Sequence, residues 1–312
     1  MKYTIPAKTF LIGEYSALVG GSVLGLATGP GFQVSYSKVT DAKFPFHQNS
    51  PAGQLWAEAL MALENSETSV ATDLKNTKIE MVELFNNLGG FGRSTAEYLS
   101  ALIPSLSKKS EDFVAIRKKY QQLSLQSGAG ASGADLAIQY FGNVTVVDGA
   151  KNTYSSTGWK FKDHDFILVS TGQKIKTHEH LAGLDLNLIK TFPKVSDAVV
   201  ETYLTGSATD FISGVKAWSH FLESHSLTHP YSLELKTALL KNPEVLCAKP
   251  CGALGADVIL VVCKKEASVR VQQELAAMNF IVQGTSADLA AGVHSQLLGA
   301  GNHQIGKDSY VG

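Results

Sequence analysis

The chain has 312 residues, a length that fits one large domain or two modest ones. Lys and Arg number 27 and Asp and Glu number 28, so the formal net charge is −1. General nucleic-acid binding is therefore not expected, because displacing counterions from a phosphate backbone requires an excess of cations. With 44% hydrophobic and 18% charged residues, the composition also excludes disorder as the main state. A local basic pocket for a small anion remains compatible with this balance.

Targeting signals and cysteine usage indicate the compartment. The first 16 residues lack the apolar stretch and cleavage site of a secretory signal. The densest apolar run, residues 258–263, is far shorter than the roughly 18 residues that a membrane span needs, and it predicts a buried strand. The three cysteines are an odd and sparse set, which is typical of a reducing compartment. We expect a cytoplasmic protein that does not enter a membrane.

Hydrophobic periodicity in the first half of the chain predicts short strands and helices joined by turns. In chain order, the predicted elements are strand 2–12, strand 23–37, helix 54–64, strand 78–84, helix 94–103, helix 111–125, helix 134–140 and strand 143–147. A Gly-Pro-Gly sequence at 29–31 interrupts the second strand.

The second half is richer in helical patterns. Its predicted elements are strand 166–170, helix 186–204, helix 210–224, helix 233–240, strand 258–263, helix 267–278 and edge strand 280–283. Residues 286–312 show no pattern that assigns an element. Because several strands meet through short glycine turns, a mixed α+β fold is favoured over a purely parallel sheet.

A glycine-rich segment at residues 87–96, Asn-Leu-Gly-Gly-Phe-Gly-Arg-Ser-Thr-Ala, lies between a predicted strand and a predicted helix. Glycines let the backbone approach a ligand closely, and the N–H groups of the following helix favour an anion. Ser94 and Thr95 carry hydroxyls suited to a phosphate or to Mg²⁺. The segment is neither a Walker A loop nor a dinucleotide-binding fingerprint. An ordinary glycine turn with a Ser/Thr helix cap is the alternative.

Three other segments carry residues suited to chemistry. Asp135 follows a loop of small residues, where it can orient or deprotonate a nucleophile or can simply be a helix N-terminal charge. Lys8 lies in an apolar strand, so it requires an anionic partner unless it extends to solvent from an edge strand. Residues 249–257 form a small-residue turn that either approaches a ligand or only packs closely.

Taken in order, these segments resemble the motifs of the GHMP kinase superfamily, which includes galactokinase, homoserine kinase, mevalonate kinase and phosphomevalonate kinase. Residues 6–15 resemble its first motif, and residues 90–96 resemble its phosphate loop, Gly-Leu-Gly-Ser-Ser-Ala-Ala. Residues 252–257 resemble its third motif, Gly-Ala-Gly-Gly-Gly. The resemblance extends from residue 5 to about residue 263.

Within the superfamily, the motifs are most similar to the phosphomevalonate kinase branch. The similar features are Gly13-Glu14-Tyr15, residues 126–135, Asp257, and Thr171-Gly172 with Thr177. Two residues depart from the pattern. Arg93 stands where the family usually has the first serine of the phosphate loop, and Leu254 replaces a glycine of the third motif.

The resemblance implies an α+β, two-domain GHMP kinase fold. A ribosomal-S5-like N-terminal domain, with the phosphate loop, is expected over residues 1–163. A ferredoxin-like C-terminal domain is expected over residues 164–312. ATP and the acceptor are expected to bind in the cleft between them.

The resemblance also implies site residues. Lys8 and Asp135 are the expected catalytic pair. The expected ATP-binding residues are Gly89, Gly90, Gly92, Arg93, Ser94 and Thr95, with Ser94 also expected to bind Mg²⁺. The expected substrate-binding residues are Glu14, Tyr15, Ser132, Gly133, Thr177, Gly252 and Ala253.

The function implied is transfer of the ATP γ-phosphoryl group to 5-phosphomevalonate, an isoprenoid precursor. A phosphorylated acceptor needs extra cations, which Arg93, Lys174 and Lys176 can supply. The alternatives are a mevalonate kinase, with an alcohol acceptor, and a catalytically degenerate binder of a nucleotide or metabolite. A homodimer is compatible with the resemblance.

Overall fold

The computed structural model describes residues 1–40, 42–64, 75–85, 91–104, 112–128, 130–173 and 184–299. Its strands are β1 (Lys2–Ile12), β2 (Val23–Lys38), β3 (Thr77–Glu83), β4 (Val144–Asp148), β5 (Thr153–Thr157), β6 (His164–Ser170), β7 (Val245–Cys251), β8 (Val258–Lys264) and β9 (Val282–Thr285). Its helices are α1 (Pro51–Glu64), α2 (Arg93–Leu102), α3 (Phe113–Gln126), α4 (Ala134–Phe141), α5 (Leu186–Ile189), α6 (Pro193–Thr205), α7 (Ala208–Ser224), α8 (Pro230–Leu239), α9 (Ser268–Ala277) and α10 (Val293–Gly299).

The first sheet is built around the long strand β2. One edge of β2 pairs with β1, and the other pairs with β4 through residues 23–26 and with β3 through residues 32–38. Strand β5 extends the sheet beyond β4, and every pairing is antiparallel. The glycine and proline at 29–31 do not end β2, because it continues through a cis Gly29–Pro30 peptide bond.

The second sheet has the strand order β7-β8-β6-β9 and is also antiparallel. Strand β8 is buried from Val258 to Cys263, which confirms the buried strand predicted from its apolar run. The mixed α+β architecture with two antiparallel sheets is confirmed as well.

Four elements differ from the sequence-based prediction, and one of them is α10, which lies in the segment 286–312 where the sequence pattern assigns no element. The single helix predicted over 186–204 is two helices, because Pro193 lacks an N–H and therefore begins α6 instead of continuing α5. Strand β7 contains Pro250 in a region predicted as a loop, and the proline is tolerated since β7 lies at the edge of its sheet. Strand β5 is not predicted, because it is short and mostly exposed and its apolar alternation is therefore weak.

The largest buried hydrophobic cluster joins the two sheets. Phe32 and Tyr98, from the first half, belong to the same buried cluster as Phe166 and Trp218 from the second. The chain also returns to the first sheet near its end, where Leu289 forms a β-bridge with Thr28. The division into domains at residues 163 and 164 stays a prediction. No helix in the described part of the chain is long and apolar enough to cross a membrane.

Candidate active site

An ion pair between a buried lysine and a partly exposed aspartate joins two distant segments of the first half. Lys8 lies in β1 and is only 9% exposed, and its Nζ is 3.0 Å from Oδ2 of Asp135 in the first turn of α4. Burial alone lowers the pKa of Lys8, but the carboxylates of Asp135, Asp257 and Glu14 outweigh it and hold the pKa above its ordinary value of 10.5. Lys8 is therefore cationic at neutral pH and has the anionic partner that its position in an apolar strand requires.

The end of the glycine-rich segment lies against this lysine. The backbone N–H of Lys8 donates to the carbonyl of Phe91 at 3.1 Å. The next residue, Gly92, has φ of +89°, and a Cβ there would lie 2.8 Å from Cγ of Lys8. Only glycine allows both this backbone conformation and this approach. Helix α2 begins at Arg93, directly after Gly92, and no side chain caps the amides of its first turn.

The side chains of this segment have different surroundings. Ser94 is exposed, whereas Thr95 is buried and its hydroxyl bonds to the carbonyl of Gly92, at 3.0 Å, and to Oε1 of Gln139. The Arg93 guanidinium forms ion pairs with Glu83 and Glu97, at 2.6 and 3.0 Å. Two carboxylates therefore already neutralise the cation that replaces the usual serine. Gly89 and Gly90 lie outside the described residues.

A buried arginine of α3 binds the backbone of the loop before α4. Nε of Arg117 donates to the carbonyl of Ser132 at 2.9 Å, and the hydroxyl of Ser132 accepts from the amide of Ala134 at 3.2 Å. Gly133 has φ of +75°, and a Cβ there would lie 2.7 Å from Cγ of Arg117. The predicted site does not include Arg117, although its helical spacing from Phe113 places it on the apolar face of α3.

Glu14 of the first motif forms a second ion pair, in which both side chains are buried. The Glu14 carboxylate accepts from Nε1 of Trp218 at 2.8 Å and pairs with Nζ of Lys249. Lys249 is fully buried. Burial acts to lower its pKa, but Cys251 and the Glu14 carboxylate raise it above its ordinary value. Both Glu14 oxygens are thus engaged within the protein.

Tyr15 connects the first motif to the third. Its hydroxyl accepts from the amide of Leu254 at 2.9 Å, and burial raises the pKa of Tyr15 above its ordinary range. Leu254 has φ of +50°, a left-handed conformation that favours glycine, the residue that the family has there. Ala253 lies in the same single 3₁₀ turn, Ala253–Gly255.

The third motif brings another carboxylate to Lys8. Gly252 has φ of +92°, and a Cβ there would lie 2.1 Å from Oδ2 of Asp257. Thr171 fixes the backbone at Ala256 and Asp257, because its amide donates to the Asp257 carbonyl at 3.3 Å and its hydroxyl donates to the Ala256 carbonyl, with the Asp257 carbonyl 3.2 Å away. Thr177 lies outside the described residues.

The two halves of the chain enclose a narrow cavity at this point. Its volume is about 10 Å³, enough for about one water molecule. Its lining residues are Lys8, Thr9, Phe10, Phe91, Gly252, Asp257 and Val258. Residues from the first and third motifs and the phosphate loop therefore meet at one place.

The fold was compared with solved structures. Streptococcus pneumoniae phosphomevalonate kinase in complex with phosphomevalonate and AMPPNP matches with a TM-score of 0.71 and 16% identity, over 91% of this chain and 99% of that one. Methanococcus jannaschii mevalonate kinase matches at 0.66 and 16%, over 91% and 97%. Lactococcus lactis galactokinase complexed with galactose matches at 0.69 and 14%, over 93% and 94%. The chain has the GHMP kinase fold.

Sequence comparisons add nothing to this result. No protein-family model matches the chain, and no curated protein matches its sequence. At identities of 14–18% the structural likeness shows the GHMP kinase fold alone. The fold predicted from the motifs is confirmed, and the roles of the site residues stay predictions.

The fit of Mg²⁺ to this site rests on the oxygen ligands of the described residues. Among the described residues, no group of three His, Cys, Asp or Glu side chains is arranged to hold a metal ion. The residue expected to bind Mg²⁺, Ser94, has an exposed hydroxyl. Mg²⁺ commonly binds through one or two such groups together with substrate phosphates and water. The residues present therefore fit Mg²⁺ that arrives with a nucleotide.

Proposed function

We propose that this protein is an ATP-dependent small-molecule kinase and that its acceptor is 5-phosphomevalonate. The observation that carries the proposal is the ion pair between buried Lys8 and partly exposed Asp135, 3.0 Å apart, beside the uncapped N-terminus of α2. Phosphoryl transfer depends mainly on positioning and on neutralising charge, and this arrangement offers a fixed cation, a carboxylate and a row of amides.

In this proposal, the first turn of α2 binds the phosphates of ATP. Its amides and the positive end of the helix dipole favour an anion, and Gly92 allows the backbone to approach it. Gly89, Gly90 and Ser94 are proposed to complete the loop. Mg²⁺, bound with the nucleotide, would neutralise phosphate charge, with Ser94 as its protein ligand. Thr95 is proposed to act structurally, since its hydroxyl is already bonded within the protein.

Lys8 and Asp135 are proposed to act on the transferred group and on the acceptor. Lys8 neutralises charge on the γ-phosphoryl group while it moves and keeps the Asp135 carboxylate ionised and oriented. With an alcohol acceptor, Asp135 takes the hydroxyl proton as the new P–O bond forms and the bond to ADP breaks. With a phosphate acceptor no base is needed, because a phosphate monoester is mostly ionised at neutral pH.

The acceptor is the finer part of the proposal. The first-motif residues Glu14 and Tyr15, the loop at Ser132 and Gly133, and the fold shared with a phosphomevalonate-bound kinase support 5-phosphomevalonate. Thr177, Gly252 and Ala253 are proposed to line the same acceptor site. Glu14 would act indirectly there, because Trp218 and Lys249 occupy its carboxylate.

Mevalonate is the second candidate acceptor, and the surroundings of Arg93 favour it. The extra cation expected for a phosphorylated acceptor is paired with Glu83 and Glu97 instead. Lys174 and Lys176, the other expected cations, lie outside the described residues. Asp135, by contrast, is partly exposed and suited to accept a hydroxyl proton.

Coupled measurement of ATP consumption with (R)-5-phosphomevalonate and with (R)-mevalonate separates the two acceptors. We expect turnover with the phosphorylated acceptor. Turnover with mevalonate alone would reject that acceptor and retain the kinase. Tight binding of AMPPNP by calorimetry, with no transfer to either acceptor, would indicate a degenerate nucleotide binder instead.

The site itself is tested by Lys8→Met and Asp135→Asn. Each is expected to lose about a hundredfold in kcat, the scale of a general acid–base contribution. Matched controls are Lys151→Met and Asp148→Asn. These two residues also form a lysine–aspartate ion pair, 2.9 Å apart, but they lie outside the proposed site. Near-normal rates in both site variants would reject the assignment. Cytoplasmic location and a homodimeric state stay predictions.

A further inference from the structure

We infer that Gln139 is a positioning residue that fixes the distance between the phosphate loop and the Lys8–Asp135 pair. The inference deepens the proposed function and rests on it for its catalytic readout. Gln139 lies in α4, one turn after Asp135, and is completely buried. None of the motif resemblances includes it.

The Gln139 amide bonds to two different segments of the site. Nε2 donates to the carbonyl of Pro6 at 2.8 Å, and Oε1 accepts from the hydroxyl of Thr95. The Pro6 carbonyl can only accept, so it must face the NH₂ group, and this fixes which end of the amide faces Thr95. One side chain therefore satisfies a donor in α2 and an acceptor in β1 at once.

The partner in β1 is available because the strand is irregular there. The pairing of β1 with β2 shifts register between Ile5 and Ala7, and Pro6 lies at this irregularity. A residue that interrupts the ladder can turn its carbonyl to another partner. Pro6 is two residues before Lys8, so the hydrogen bond from Gln139 acts directly on the backbone that carries the lysine.

The partner in α2 lies in the first turn of the proposed phosphate-binding helix. Thr95 follows Ser94, and its hydroxyl also contacts the carbonyl of Gly92 at 3.0 Å. A Cβ at Gly92 would lie 3.0 Å from Nε2 of Gln139, so the loop backbone packs directly on the amide. Gln139 thereby links β1, α2 and α4 within a few residues of Lys8, Ser94 and Asp135.

If the Gln139 amide only filled the core, its hydrogen-bond partners could lie anywhere in the surrounding structure. Both partners of Gln139 lie outside its own helix, and each is within two residues of a proposed site residue. Losing the link lets α2 move relative to Lys8 without unfolding either element. Displacements of about 1 Å between reacting groups can lower rates by up to about a hundredfold.

Gln139→Met and Gln139→Glu test the link in different ways. Methionine keeps the size of the side chain and removes both hydrogen bonds. The carboxylate of Gln139→Glu opposes the Pro6 carbonyl, but its protonated form can donate to Pro6 and accept from Thr95, as the amide does. Burial and the Asp135 carboxylate, one turn away on α4, raise the pKa of such a carboxyl, whereas the Lys8 ammonium on the other side of Gly92 acts to lower it. Activity of Gln139→Glu should therefore recover as the pH is lowered, relative to the wild type, while Gln139→Met should not.

Thr95→Val and the double variant Gln139→Met/Thr95→Val complete a cycle. Ser100→Ala is the matched control. Ser100 is buried in α2, as Thr95 is, but its hydroxyl bonds to the carbonyl of Ala96 within that helix. We expect a fall of about tenfold or more in kcat for Gln139→Met and for Thr95→Val, with the KM of the acceptor changed less. The double variant should be less impaired than the product of the two single effects. Ser100→Ala should retain its kcat.

Hydrogen exchange supplies a readout that needs no turnover. We expect faster exchange of the amides at 91–96 in Gln139→Met than in Ser100→Ala at matched global stability. Unchanged exchange, or equal kcat losses in Gln139→Met and Ser100→Ala, would overturn the inference. If the wild type neither binds AMPPNP nor transfers phosphate, the proposed function fails, and the exchange experiment still decides whether Gln139 holds the loop.

Discussion

Replacing Lys249 by methionine tests the buried connection between the first motif and the second sheet. Lys249 in β7 is fully buried and pairs with Glu14, which follows β1 and also accepts from Trp218. Methionine is of similar length, so Lys249→Met removes the charge and keeps most of the volume. The Glu14 carboxylate is then left buried without its cation.

The expected loss can be worked from this burial. Removing one partner of a buried ion pair costs about 3–5 kcal/mol, because the remaining charge is neither solvated nor compensated. An unfolding entropy of about 2.1 cal/mol/K per residue, over 312 residues, gives about 0.66 kcal/mol/K. The melting temperature should therefore fall by about 5–8 °C. The double variant Glu14→Gln/Lys249→Met removes both charges and should lose clearly less than the sum of the single variants.

Differential scanning calorimetry at pH 7 measures these losses. The pKa of Lys249 is raised in the folded protein, so its stabilisation is fully present below 10.5 and is lost only as the pH rises through the folded value. Lys119→Met is the control, because Lys119 is 2.6 Å from Glu58 with exposed fractions of 33% and 50%. Such a pair contributes about 0–1 kcal/mol. Equal losses in Lys249→Met and Lys119→Met, or additive losses in the double variant, would refute the reasoning.

Other substitutions test the backbone of the site and the second sheet. Gly92→Ala should lose more stability and activity than Gly128→Ala, because both have positive φ but only the first Cβ would meet Lys8; calorimetry and the kinase assay measure this. Leu254→Gly should retain the melting temperature or raise it slightly, because relieving a left-handed conformation is worth about 1–2 kcal/mol and offsets the lost side chain. Burial acts to raise the pKa of Asp165, but hydrogen bonds from two serines and a lysine hold it below 3.8. Its stabilisation is therefore present above that value and lost as the pH falls through the folded pKa. Asp165→Asn should lose about 1.5–3 kcal/mol at pH 7 and show a shallower loss of stability in acid, as urea titrations at several pH values would reveal.

Local patterns predicted most of the elements that form the site. The alternation in β1, the glycine turn before α2 and the small-residue loop before α4 each specify their own structure from neighbouring residues. The need of Lys8 for an anion was also predictable, since an ammonium in an apolar strand must be compensated. These are properties of short segments, and short segments are where sequence periodicity is informative.

The connections between segments could not be predicted in the same way. Lys249 appeared as part of a small-residue loop, and nothing near it in sequence indicates that it pairs with Glu14. Gln139 and Arg117 are polar residues on apolar helix faces, a sign of burial that does not name a partner. Hydrogen bonds between residues far apart in sequence depend on packing, which local periodicity does not encode.

The two departures from the family motifs are both accommodated by nearby residues. Arg93 adds a cation at the start of α2, but Glu83 and Glu97 neutralise it, so it does not compete with Lys8 for an anion. Leu254 has a left-handed backbone, which favours glycine, and its amide donates to the Tyr15 hydroxyl. The distinction between an active kinase and a degenerate binder consequently depends on the Lys8–Asp135 pair, and the departures alone do not decide it.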